Sequence, residues 1–169
     1  MVVSSPDLKA FLVATPFFGG LSDASLDLLV SMLVEHRFDA GATVVAEGQP
    51  GRSMFIVHSG ELVVNKLAGS GHVIRIANLG PGDFFGEMAL IAMQNRSATV
   101  VAASPTVLHE LTARNLYTYY KADINAYVIV LQNINRELCR RLSGADNRIA
   151  ALADASRETT TQTCVHQTG

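Results

Sequence analysis

The residues best equipped for chemistry lie in one stretch, Gly82-Asp-Phe-Phe-Gly-Glu-Met-Ala-Leu, followed after a short loop by Arg96-Ser-Ala-Thr-Val. Gly86 gives the backbone freedom to come close to a ligand. Glu87, Met88 and Ala89 read as the opening of a short helix, whose first N–H groups have no partner within the helix and so favour an anion. An acid at a helix start is also good capping, so Glu87 has a purely structural role open to it. Nine residues later Arg96 enters the apolar run Ala98-Thr99-Val100-Val101. A guanidinium there is either a strand-end surface charge or a bidentate clamp for an oxyanion. Ser97 adds a hydroxyl beside it. A cation, backbone donors and a hydroxyl suit a phosphate, and Glu87 offers an acceptor to a sugar hydroxyl. This is the polarity pattern of a nucleotide carrying one phosphate charge.

Three zones must position these groups. Residues 1–36 form an N-terminal helical segment, with helical character over 7–36. Leu8, Phe11 and Leu12 share a face, Thr15-Pro16 breaks the run, and Ser22 is an N-cap for Leu26, Leu29, Val30 and Leu33 at helical spacing. Residues 37–111 change period. Short runs rich in Val, Ile and Thr (43–47, 53–59, 61–68, 72–79, 97–103 and 106–111) are separated by Gly, Pro, Ser and Asn. They predict a sandwich, a jelly roll or a barrel, with Gly69-Ser-Gly71 as a hairpin loop. Residues 112–153 return to helix, with Asp123 as an N-cap. Leu138, Leu142, Ala145, Ile149 and Leu152 alternate steps of four and three, the spacing of a coiled-coil seam. That seam either packs on its own roll or pairs with a second copy, making residues 124–152 a candidate homodimer face. Gly144 marks a possible bend, and the polar residues 154–169 read as a disordered tail. The whole is read as one domain over 7–153.

Composition narrows the functional classes. The chain has 169 residues, with 13 Lys plus Arg against 15 Asp plus Glu, a net charge of −2. General nucleic-acid binders are usually basic, so direct DNA binding is not expected. Cys139 and Cys164 form no metal-binding pair or disulfide framework, which points to a reducing, cytoplasmic setting. No apolar run is long enough for a membrane span, and the N-terminus lacks signal-peptide character. The five histidines are scattered, so neither a metal site nor a cofactor is expected, and no nucleophilic triad stands out.

Residues 82–100 resemble the phosphate-binding cassette of cyclic-nucleotide-binding domains. Glu47-Gly48, Phe55-Ile-Val and Ser59-Gly60-Glu resemble that family's early strands, and Thr15-Pro-Phe-Phe-Gly-Gly-Leu-Ser its N-terminal helical region. The likeness covers about residues 10–153. It implies a mainly β jelly roll flanked by helices and a non-catalytic regulatory domain. Its ligand would be cAMP or cGMP, with cAMP favoured as the commoner ligand of bacterial-looking members. It implies that Glu87 takes the ribose 2′-hydroxyl and Arg96 the exocyclic phosphate oxygens. Gly86, Met88, Ala89, Ser97 and Ala98 would complete the cassette, and Ile76 would form part of the apolar wall. On the catabolite-activator register, Ala145 and Asp146 sit where base-reading residues occur, and the Asp146 carboxylate suits adenine or guanine equally. The C-terminal helix would close over the ligand. That type continues into a helix-turn-helix, and only 16 residues follow Ala153; a stand-alone sensor is expected if the sequence is complete, and a sensor cut from its output domain if it is not. The alternative is an interaction module that keeps the roll, binds no nucleotide and works through its long helix.

Overall fold

The computed structural model describes residues 5–165. The chain begins with α1 (Ser5–Val13), a 3₁₀ turn (Pro16–Phe18) and α2 (Asp23–Ser31). Ser22 caps α2 as expected, its Oγ accepting from the Ser25 amide at 3.1 Å. Eight strands follow: β1 (Val34–Phe38), β2 (Thr43–Val45), β3 (Ser53–Ser59), β4 (Leu62–Leu67), β5 (Val73–Leu79), β6 (Phe84–Phe85), β7 (Thr99–Ala102) and β8 (Thr106–Thr112). The short α3 (Glu87–Ile91) interrupts them between β6 and β7, and α4 (Ala113–Ala122) and α5 (Ile124–Val165) close the chain.

The strands form two four-stranded antiparallel sheets, ordered β1-β8-β3-β6 and β2-β7-β4-β5. This is the jelly roll that the family resemblance implies, one of the three β-architectures the strand pattern left open. One apolar core fills the space between the sheets, built from Phe55, Val57, Leu62, Phe85, Val100 and Leu108 among others. A second core lies between the outer face of the first sheet and the helices, where Met54, Ile56 and Leu111 meet Leu12, Phe17, Leu29, Tyr119, Val130 and Ile134. Strand β3 serves both, with Phe55 and Val57 in one core and Met54 and Ile56 in the other. It therefore carries a continuous apolar run instead of alternating.

The structure moves several boundaries. Residues 34–36 belong to strand β1, although the helical spacing of Leu26 to Leu33 runs straight up to them. Pairing of β1 with β8 over Val34–Phe38 and Thr106–Glu110 overrides that local signal. Strand β6 is two residues long and has no readable period. Helix α5 passes through Gly144 without interruption and continues to Val165, beyond the expected start of the tail at 154. Each residue added to a formed helix gains a hydrogen bond without repaying the nucleation cost, so polarity alone does not end it. The rest of the expected tail, residues 166–169, and the N-terminal residues 1–4 lie outside the described residues.

Two polar anchors aim α5. Asp123 caps it, with Oδ1 accepting from the Ala126 amide at 3.0 Å and Oδ2 from Ser25 Oγ at 2.7 Å. Further along, the buried Asn133 amide donates to the Phe17 and Gly19 carbonyls at 2.7 and 3.0 Å. Helix α5 thus crosses the N-terminal turn at a fixed point. Among the described residues no helix is long and apolar enough to cross a membrane.

His109 on β8 is buried between Glu35 and Ile56 of the neighbouring strands, with its Nε2 3.4 Å from His58 Nδ1. Burial, helped by His58 and His36 and opposed by Glu35, pulls its pKa down to about 4. Between pH 6.5 and 4 the unfolded chain therefore takes up a proton that the folded chain refuses, and this contribution to stability is lost as pH falls through that window. Denaturant midpoints measured against pH should fall in wild type and fall less steeply in His109→Leu. Equal slopes would contradict this account.

Candidate functional site

Gly86 precedes α3 with φ +84°, in the left-handed region. A side chain here would be strained, and its Cβ would collide with Arg96 Nη1 and sit 2.9 Å from the Ser53 carbonyl oxygen. A Cβ on Gly51 would collide with Arg96 Nε and lie 2.7 Å from Cζ. The guanidinium is therefore threaded between two glycines, and the side chain is 8% exposed. Its backbone is fixed against the turn before β3: the Arg96 amide donates to Gln49 O and its carbonyl accepts from the Gly48 amide, each at 2.8 Å. Arg96 Nη1 donates to Ser53 O at 2.6 Å and Nη2 to Ser53 Oγ at 3.0 Å. The Phe55 ring lies 5.6 Å below Cζ. Burial pulls the Arg96 pKa below its ordinary value, against the pull of Glu110 and Glu87, yet an arginine remains cationic.

Glu87 opens α3 and is 5% exposed. Burial raises its pKa, and Glu137 adds to the rise, while Arg141, its own backbone amide and Arg96 work against it. Arg141 comes from α5, with Nη1 3.5 Å from Glu87 Oε1. The same guanidinium donates to Phe84 O at 2.6 Å and Glu137 Oε1 at 2.8 Å, and lies 4.9 Å above the Phe84 ring. One side chain of α5 thus holds the strand, the helix start and its own helix together.

These groups border a cavity of about 790 Å³ between the roll and α5. Gly86, Glu87, Met88, Ala89, Arg96, Ser97 and Ala98 line it, and Ile76 forms part of the opposite wall. Val45, Val64, Phe85 and Val100 give it an apolar floor, and Leu138, Leu142 and Ala145 an apolar roof. Four arginines (96, 140, 141 and 148) and two carboxylates (Asp83 and Glu87) line it, an excess of two positive charges in a chain of net charge −2. That local sign suits an anion. Asp146 is not brought into the cavity. It is exposed, while Ala145 and Arg148 line the site. Residues 145 and 148 share a helix face, and 146 lies about 100° around from 145. Arg148 instead reaches the Ile76 carbonyl at 3.4 Å. A neighbouring hollow of about 610 Å³ between Phe11, Phe17, Pro81 and α5 contains neither Glu87 nor Arg96.

Sequence reasoning did not find Gly51, Ser53, Arg141 or Arg148. The Glu137–Arg141 spacing of four was readable as a helical ion pair. Nothing local pointed from Arg141 to Glu87 or from Arg96 to Ser53.

The family model for the cyclic nucleotide-binding domain matches residues 35–123. The cyclic AMP receptor protein of Thermus thermophilus is 32% identical over 139 residues, 82% of this chain and 62% of that protein. The cGMP-dependent protein kinase of Toxoplasma gondii is 36% identical over 99 residues, 59% of this chain and 10% of the kinase. The chain thus spans less than two thirds of the length of these curated relatives. Among solved structures, a cyclic nucleotide-binding domain from Methylobacillus flagellatus superposes with a TM-score of 0.80 at 25% identity, covering 86% of this chain and 84% of that one.

Gly86→Ala tests how tightly the site is packed around Arg96. Left-handed strain plus the collision should destabilise the fold by about 1–3 kcal/mol, a fall of several degrees in Tm. An unchanged Tm by calorimetry would show that the Arg96 channel has slack.

Proposed function

The chain belongs to the cyclic nucleotide-binding domain family, and from that premise we propose a non-catalytic, cytoplasmic sensor whose cavity takes cAMP in preference to cGMP. The observation that carries the reading is that Glu87 and Arg96, buried and chemically opposite, line one cavity with positive surroundings. In this reading Arg96 pairs with the exocyclic phosphate oxygens. The first N–H groups of α3, at Met88 and Ala89, and the Ser97 hydroxyl complete the phosphate shell. Glu87 accepts from the ribose 2′-hydroxyl, exchanging part of its contact with Arg141. Ile76, Val64 and Leu142 offer apolar surface to sugar and base. The preference for cAMP rests on the cyclic AMP receptor protein, which matches 82% of this chain, whereas the cGMP-dependent kinase matches 59%.

Ligand then acts on α5. Arg141 and Arg148 already tie this helix to the cassette strand and to β5. Nucleotide shifts the balance towards that closed arrangement only by binding it more tightly than an open one. Beyond the cavity roof, α5 exposes Ile149, at 65%, on the same heptad stripe as Leu142, the spacing of a helix-pairing seam. We assign residues 124–152 to a homodimer contact on that basis.

Calorimetric titration of the nucleotide-free protein with cAMP and then cGMP tests the ligand. Binding at micromolar concentration or tighter, with cAMP the stronger, is expected. Arg96→Ala should weaken it by roughly 100-fold or more, because a buried charge-assisted pair is worth about 3–5 kcal/mol. Wild-type affinity in that variant would overturn the site. A flat titration with both nucleotides would favour an interaction module acting through α5. For the dimer, light scattering of Ile149→Glu should report a monomer where wild type reports twice the chain mass; a monomeric wild type would remove the assignment.

A further inference from the structure

Ser53 stands on β3 and is 6% exposed. It is absent from the lining of the nucleotide cavity, so it can influence a ligand there only through another residue. That residue is Arg96, whose two terminal nitrogens both donate to Ser53, one to its carbonyl and one to its hydroxyl. A guanidinium has five N–H hydrogens. Two go to Ser53, which leaves three, on Nε, Nη1 and Nη2. Gly51 and Gly86 bar sideways movement, and the Phe55 ring closes the lower face. The paired Ser53 acceptors, one on each terminal nitrogen, oppose rotation of the guanidinium in its own plane.

We propose that Ser53 is a positioning residue that sets phosphate affinity by locking the orientation of Arg96. This rests on the cyclic-nucleotide reading above and adds to it a residue outside the cavity. The backbone carbonyl survives any substitution, so the side-chain hydroxyl carries the testable part. The register makes Ser53 well placed for the task. It pairs with Thr112, and the next residue on β8's side, Ala113, donates its amide to Arg52 O at 2.8 Å. Both flanks of the Ser53 peptide are therefore fixed by the sheet, and its acceptors are rigid.

A double-mutant cycle separates positioning from general structural damage. Cyclic nucleotide affinity is measured by calorimetry for wild type, Ser53→Ala, Arg96→Ala and the double variant, together with Ser53→Thr. Ser53→Ala should weaken binding about tenfold, as expected for one hydrogen bond to a charged group. In the Arg96→Ala background the same change should cost less than twofold. Ser53→Thr, which keeps the hydroxyl, should restore affinity to within about threefold of wild type. An equal loss in both backgrounds would assign Ser53 a structural role only, and no loss in wild type would remove its role altogether. Either result overturns the proposal while leaving the nucleotide site standing. Absence of cyclic nucleotide binding by wild type would overturn the site itself and this proposal with it.

Discussion

A guanidinium withdrawn from water must recover its hydration inside the protein, and at Arg96 this requirement organises everything nearby. The recovery comes from two Ser53 acceptors, the face of Phe55 and the fields of Glu110 and Glu87. Reaching those partners requires a channel with no Cβ on either side, which makes Gly51 and Gly86 obligatory. Gly86 in turn adopts the left-handed conformation that starts α3 and delivers Glu87 to the cavity. The cation, its channel and the opposing carboxylate are one construction. The energetic logic is that a buried, unpaired charge costs several kcal/mol, so each partner is held by the penalty of losing it.

Glu87 faces the converse problem. It is an acid pushed towards neutrality by burial and kept near a cation supplied by a different part of the chain. Arg141 meets that need while also bonding Phe84 O and Glu137. The interaction that makes a buried Glu87 tolerable thus also seats α5 on the roll. The Glu87 carboxylate and the position of α5 share one arginine, so under the proposed function a ligand group at Glu87 would act on the helix directly.

The cassette was legible because its residues are contiguous: Gly86 to Ala89 and Arg96 to Ala98 lie within one loop and its borders, and the loop carries them to one wall. The strand pattern was legible for a similar reason, since β3, 53–59, is bounded by turn residues and buried on both faces. What escaped depends on register between distant segments. Ser53 and Arg96 are separated by 43 positions, and Phe84 and Arg141 by 57. Strand β1 escaped because its pairing partner, β8, lies at the other end of the roll. Of the two residues assigned to the base from sequence register, the rotation of α5, set by Asn133 and Arg141, brings Ala145 to the cavity and leaves Asp146 out of its lining, with Arg148 entering one turn on.

Helix α5 has 42 residues, so at about 1.5 Å per residue it is about 63 Å long. Polar attachments to the rest of the fold include those at Asp123, Asn133, Arg141 and Arg148. If ligand moves α5 as proposed, Asn133, bonded to the N-terminal turn, is the point about which it would tilt. A tilt of about 5° at that point, within the reach of a rearranged arginine contact, would carry the Val165 end through about 4 Å. A chemical event the size of one hydroxyl group would thus become a displacement comparable to the distance between two neighbouring β-strands.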